Sequence, residues 1–125
     1  MTSDAPSDSL WLCDGAALLL AGSPASTAHR RGAAFLARQA IERLVRTELG
    51  ERVGDRATWK SRFLVLGVVR PDVDAARGHW LWSRWSEICH YHAYDLVPLA
   101  DEVQRRIDET REWIVAASQR DGGAV

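Results

Sequence analysis

WLWSRWSEICHYHAYDL, residues 80–96, is the stretch on which the reading of the fold turns. It carries three of the six tryptophans, one of the two cysteines and two of the four histidines, with no glycine or proline inside it. A helix advances about 100° per residue, so Leu81, Trp85, Ile88, Cys89 and His92 make one stripe, which Leu96 continues. Arg84, Ile88, Tyr91 and Asp95 make a neighbouring stripe, with Glu87 and Tyr94 alongside. The pattern predicts a single helix running on to Pro98, which breaks or kinks it after Val97. The stretch is too polar for a plain core helix and too aromatic for a plain surface one, so a functional site is expected here. Trp80, Trp82 and Trp85 cannot all face one core. At least one should point outward or into a partner, and Trp82 and Trp85 are the expected interface residues ahead of Trp80.

Upstream, Asp72 or Asp74 is placed to cap the start of this helix, and Pro71 biases Arg70 away from helical geometry. Trp59, Phe63, Leu64 and the apolar residues 66–69 predict a shorter third helix whose end is ambiguous, because Gly67, Val68 and Val69 would also suit extended chain. Before that, Ala33, Ala37, Ala40, Ile41, Leu44 and Val45 recur at three- and four-residue steps, the signature of an amphipathic second helix over about residues 29–49, capped by Ser26 or Thr27. Its small residues would let a neighbour approach closely. Arg30, Arg31, Arg38, Arg43 and Arg46 read as a solvated basic face, with Glu42 and Arg46 at pairing distance along the helix. Leu10, Trp11, Cys13, Ala17, Leu18 and Ala21 predict a first helix capped by Asp8 or Ser9 and closed near Gly22. Downstream of Pro98, Val103, Ile107, Ile114 and Val115 predict a fifth helix over about residues 99–117, with Trp113 at its flank. The expected architecture is all-α, about five helices in an antiparallel bundle: a lead over 1–7, one domain over 8–118 and a tail over 119–125.

A chain of 125 residues suits one domain with a real core. The formal charge of −1 gives no global attraction to nucleic acid or anionic membranes. The opening MTSDAPSDS lacks the basic start of a secretory signal, the longest apolar run (16–21) is far below spanning length, and the few cysteines suit a reducing compartment. A cytoplasmic protein without membrane contact is the expectation.

The chemistry-bearing residues are sparse. His90 and His92 lie about 200° apart on a regular helix and cannot share a metal. Cys89 and His92 would reach one ion, but two ligands do not make a site, so neither metal nor cofactor is expected. No nucleophile elbow, phosphate loop, zinc-protease motif or calcium loop occurs. A small-ligand pocket between the second and fourth helices, lined by Trp82 and Tyr94, is a further reading.

Two phrases resemble the HEPN superfamily of small helical domains. AAFLARQAIERLVRTEL, residues 33–49, looks like the early helix of that family, and RWSEICHYHAY, residues 84–94, looks like its motif helix. The resemblance spans about residues 11–114. It implies a dimer formed across motif helices and either a metal-independent ribonuclease or an inactive interaction, nucleotide-binding or toxin–antitoxin part. The family motif is an arginine, four to six residues, then a histidine. Arg84 and His90 fit with five between, although Trp85 stands where a small polar residue is usual. His92, Ala93 and Tyr94 match a subgroup ending, but Glu87 occupies its arginine position. The resemblance therefore implies Arg84, His90, His92 and Tyr94 as catalytic residues if the chain cleaves RNA. Trp82, Trp85, Glu87, Tyr91 and Asp95 are the ligand or interface residues of the leading expectation, a dimeric module of weak or no activity with a protein partner.

Overall fold

The computed structural model describes residues 5–22, 26–90 and 98–119. They form five helices, α1 (Ala5–Ala21), α2 (Thr27–Leu49), α3 (Trp59–Val69), α4 (Ala75–Cys89) and α5 (Ala100–Ser118), and no strand is present among them.

The helix starts are set by short polar side chains that accept otherwise unpaired first-turn N–H groups. Ser26 Oγ accepts from the His29 amide at 3.1 Å, Thr58 Oγ1 from Ser61 at 3.1 Å and Asp74 Oδ1 from Arg77 at 3.0 Å. α2 ends at Gly50, whose φ of +57° is open to glycine at little cost. α3 stays helical through Val69, and Arg70 leaves the helix ahead of Pro71, which settles the ambiguous end.

Two boundaries differ from expectation. α1 begins at Ala5, so it takes in residues 5–7 of the expected lead; Pro6 is tolerated because first-turn amides need no intrahelical acceptor. α4 ends at Cys89, short of the expected run; residues 91–97 lie outside the described residues. The amide of His90 closes the last turn onto Ser86 and Glu87 carbonyls at 3.1 and 3.2 Å.

Neighbouring helices run antiparallel, as cross-helix pairs establish. Asp8 meets Arg43 while Leu19 meets Gly32, which fixes α1 against α2. Trp113 meets Asp74 while Arg84 and Ile88 share a hollow with Glu102 and Val103, which fixes α4 against α5. Trp82 to Glu42 joins α4 to α2, and Arg111 to Asp14 joins α5 to α1. α3 packs on α2 and α4 near the C-terminal end of α2. There Arg70 ties the helix ends together. Its guanidinium donates to Glu48 at 2.8 Å, to both Asp72 oxygens at 2.7 and 2.9 Å, and to the Ala117 carbonyl at 3.2 Å. The Asp72 bonds, with the Glu48 charge, raise its pKa against the cost of desolvation.

Ala33, Ala34, Ala37 and Ala40 are all fully buried, and α1 packs along α2 more extensively than any other pair. Small side chains there allow close approach. The larger core is built from Ile41, Leu44, Leu81, Trp85, Ile107 and Ile114. Trp113, expected at the flank of α5, is in the core instead, because α4 offers Gly78 opposite it. Among the described residues no helix is long and apolar enough to cross a membrane.

Candidate functional site

The expected catalytic residues fall at the C-terminal end of α4. Arg84 donates to Glu87 at 2.8 Å, and both side chains are well exposed. Arg84 borders a hollow of about 20 Å³ with Ile88, Pro98, Glu102, Val103 and Arg106. That volume suits about one water. Arg106 is itself held by Glu109 at 2.8 Å. Two arginines thus stand among three carboxylates, and the hollow has no surplus of positive charge. His90 is exposed at the helix cap, six residues after Arg84 along the chain. Tyr91, His92, Tyr94 and Asp95 lie outside the described residues, so four of the expected site positions have no placement here.

The three tryptophans of α4 separate. Trp85, expected at an interface, is completely buried, and its indole N–H donates to Thr110 Oγ1 at 2.9 Å across to α5. It shares a stripe with Leu81 and Ile88, and that stripe is the core face of α4. Trp82 is partly buried, with its indole N–H donating to Glu42 Oε2 at 2.9 Å. Trp80, ranked last, is the most exposed of the three at 40%, lying between the Arg77 and Arg106 guanidinium groups at 4.6 and 4.7 Å from its ring centre.

Trp82 belongs to an aromatic cluster that joins α3 to α4. Its ring centre lies 5.9 Å from Trp59 and 6.1 Å from His79, and His79 stacks on Phe63 at 5.1 Å. Such offset pairs contribute about 0.5–1.5 kcal/mol each beyond area burial. Arg46 and Arg62 lie over Trp59 at 5.1 and 4.6 Å. Arg46 therefore does not make the expected pair with Glu42. Glu42 instead takes the Trp82 indole and lies 3.8 Å from Arg38.

Two larger concavities flank this cluster. A cleft of about 330 Å³ between α1 and α2 is lined by Leu12, Gln39, Glu42, Arg43, Arg46 and Thr47. A second, apolar groove of about 230 Å³ between α3 and α4 is lined by Phe63, Gly67, Ala75, Ala76 and His79, with Lys60 and Leu64 at its sides. Leu64 is 65% exposed and Val68, one turn on, 81%.

Compared with family models, with curated proteins and with solved structures, the chain matches none. The site must therefore be judged on its own geometry. Among the described residues no three His, Cys, Asp or Glu side chains are grouped to hold a metal ion. Both cysteines are free, and burial pushes the Cys13 thiol up to about 11. The folded state holds this thiol protonated, so its contribution to stability is present below pH 9 and is lost as pH rises through about 11. Denaturation midpoints should fall over that window, and less so in Cys13→Ala measured against its own neutral-pH value.

Sequence reasoning passed over Leu64 and Val68 as core candidates, and over Glu42 as an ordinary surface partner. The four-residue spacing of Leu64 and Val68 was visible; which face of α3 had a neighbour was not.

Proposed function

We propose that this chain is a self-associating helical interaction module of the HEPN type, without ribonuclease activity of its own. The observation that carries the reading is the α3 face. Leu64 and Val68 project beside an apolar groove on the same surface. A two-fold interface is self-complementary, so it needs a projection and a recess on one patch, each meeting its opposite in the second copy. Gly67, Ala75 and Ala76 keep the recess floor low enough for a helix to approach. The resemblance of residues 33–49 and 84–94 to HEPN helices supports a dimer too, although this interface is on α3 and not on the motif helix. Trp85 has no part in it, being core.

Lack of catalysis follows from charge. A phosphoryl-stabilising arginine must face the substrate free of competing carboxylates. Arg84 is instead paired with Glu87, and Glu102 borders the same hollow. Single-stranded RNA and transfer RNA incubated with the protein in chelator should remain intact. Cleavage that vanishes in Arg84→Ala and in either His90→Ala or His92→Ala would establish the ribonuclease reading in its place.

Light scattering at micromolar concentration should report twice the chain mass of 13.9 kDa. Leu64→Asp and Val68→Asp should each yield folded monomer, because a charge in the recess loses its water without gaining a partner. A wild-type monomer at high concentration, or variants that remain dimeric, would sink the assignment of this face.

A further inference from the structure

The cleft between α1 and α2 is unrelated to the α3 face, and its side chains are of a different kind. We infer that it binds a phosphate monoester carried on a small hydroxylated molecule, such as a sugar phosphate.

The inference begins with Arg46. Its guanidinium lies over the Trp59 ring at 5.1 Å, and among the described residues it makes no ion pair. Stacking engages the face of a guanidinium and leaves its in-plane N–H donors available, the geometry that takes two oxygens of a phosphate side by side. Arg46 lines the cleft together with Arg43, one turn back on α2. Arg43 is held by Asp8 at 3.2 Å, but both side chains are about half exposed. Exposed pairs of this sort contribute little to stability, so a doubly charged anion can take Arg43 from Asp8 at little cost. Gln39 and Thr47 add uncharged donors on the same wall.

Glu42 sets the other end of the ligand. Its carboxylate is mostly buried, and both of its contacts, the Trp82 indole at 2.9 Å and Arg38 at 3.8 Å, fall on Oε2. Oε1 has no hydrogen bond among the described residues, although Glu42 lines the cleft. A carboxylate oxygen that faces the cleft with an open lone pair favours a ligand that donates a hydrogen bond. Arg38 and the indole offset its charge, so the acid need not repel a phosphate held at Arg43 and Arg46. The volume of about 330 Å³ lies at the small end of the range for small-molecule sites. Two arginines match a dianion, and one acceptor matches a hydroxyl; a long polyanion would leave Glu42 facing negative charge.

The test is a ¹H–¹⁵N NMR titration of the full chain with glucose 6-phosphate, inorganic phosphate, sulfate and glucose. The indole signals of Trp59 and Trp82 report on the cleft residues they contact, Arg46 and Glu42 respectively. Glucose 6-phosphate should saturate both signals, with affinity about tenfold above inorganic phosphate, since one added hydrogen bond to a charged group is worth that much. Sulfate should follow phosphate or be weaker, and glucose alone should shift neither signal. Arg46→Gln should weaken glucose 6-phosphate and phosphate alike by about tenfold or more, and Arg43→Gln should do so independently. Glu42→Gln should abolish the preference for the sugar phosphate while leaving phosphate bound. Absence of saturation with any phosphate probe, or wild-type affinity in both arginine variants, overturns the proposal. Equal affinity for phosphate and glucose 6-phosphate overturns the role given to Glu42.

Discussion

Trp85→Ala is expected to lower stability by about 3–5 kcal/mol, the range for deleting a large buried aromatic side chain. The loss is large against the 5–15 kcal/mol that holds a typical domain folded, so the variant should be partly unfolded at 37 °C. Trp85 is completely buried between α4 and α5. The cavity dominates the loss. Thr110, the acceptor of the indole N–H, also donates to the Arg106 carbonyl at 2.9 Å and so stays hydrogen-bonded after truncation. Trp85→Phe should therefore cost much less, about 1–3 kcal/mol, because most of the volume remains. Urea denaturation followed by circular dichroism checks both variants. A Trp85→Ala midpoint near wild type would mean that this side chain is not where the core packs.

Gly78→Ala is expected to destabilise by about 1–3 kcal/mol, against the roughly 1 kcal/mol gain that the same change brings in an ordinary helix interior. A Cβ on Gly78 would come within 2.7 Å of Trp113 Cε2 and 2.8 Å of Cη2, closer than real contacts allow. Trp113 has little freedom to retreat, since it is in the core and its indole N–H is bonded to the Asp74 carbonyl at 2.9 Å. The sign of the effect is the diagnostic. Combining Gly78→Ala with Trp113→Phe should cost less than the sum of the two, because the smaller ring removes the clash. Additive losses in thermal melts would show that the close approach is not what Gly78 serves.

The helices were legible because breakers and caps sit between periodic runs: Ser26 and Asp74 each cap a helix, and Pro71 and Pro98 fall between helices. The pairing of faces was less so. Periodicity put Trp85 on the stripe of Leu81 and Ile88, yet three tryptophans in six residues suggested an excess of aromatic surface. What periodicity could not show was that α5 brings Thr110 to satisfy the Trp85 indole and that Gly78 makes room for Trp113. Those fits depend on residues 25 and 35 positions away in the chain. Arg46 was misassigned for the same reason. Helix spacing favoured Glu42, but Trp59 on the next helix offers a ring face and Trp82 claims the carboxylate. Of the expected α4 site, Arg84 and Glu87 are where spacing puts them, and Tyr91, His92, Tyr94 and Asp95 lie outside the described residues.

The antiparallel order of the helices bears on how the chain acquires its structure. α1 with α2, and α4 with α5, are each neighbours along the chain, so either pair can close through a short connection before the other forms. What remains is the meeting of the two hairpins, where Trp82 must find Glu42 and the α3 end must deliver Arg70 to Glu48 and Ala117. During synthesis the α1–α2 hairpin emerges first, and its close packing rests on the buried alanines of α2. Alanine offers little apolar area per residue, so until α1 closes on it an α2 of this composition holds less surface for wrong partners than one faced with leucine would.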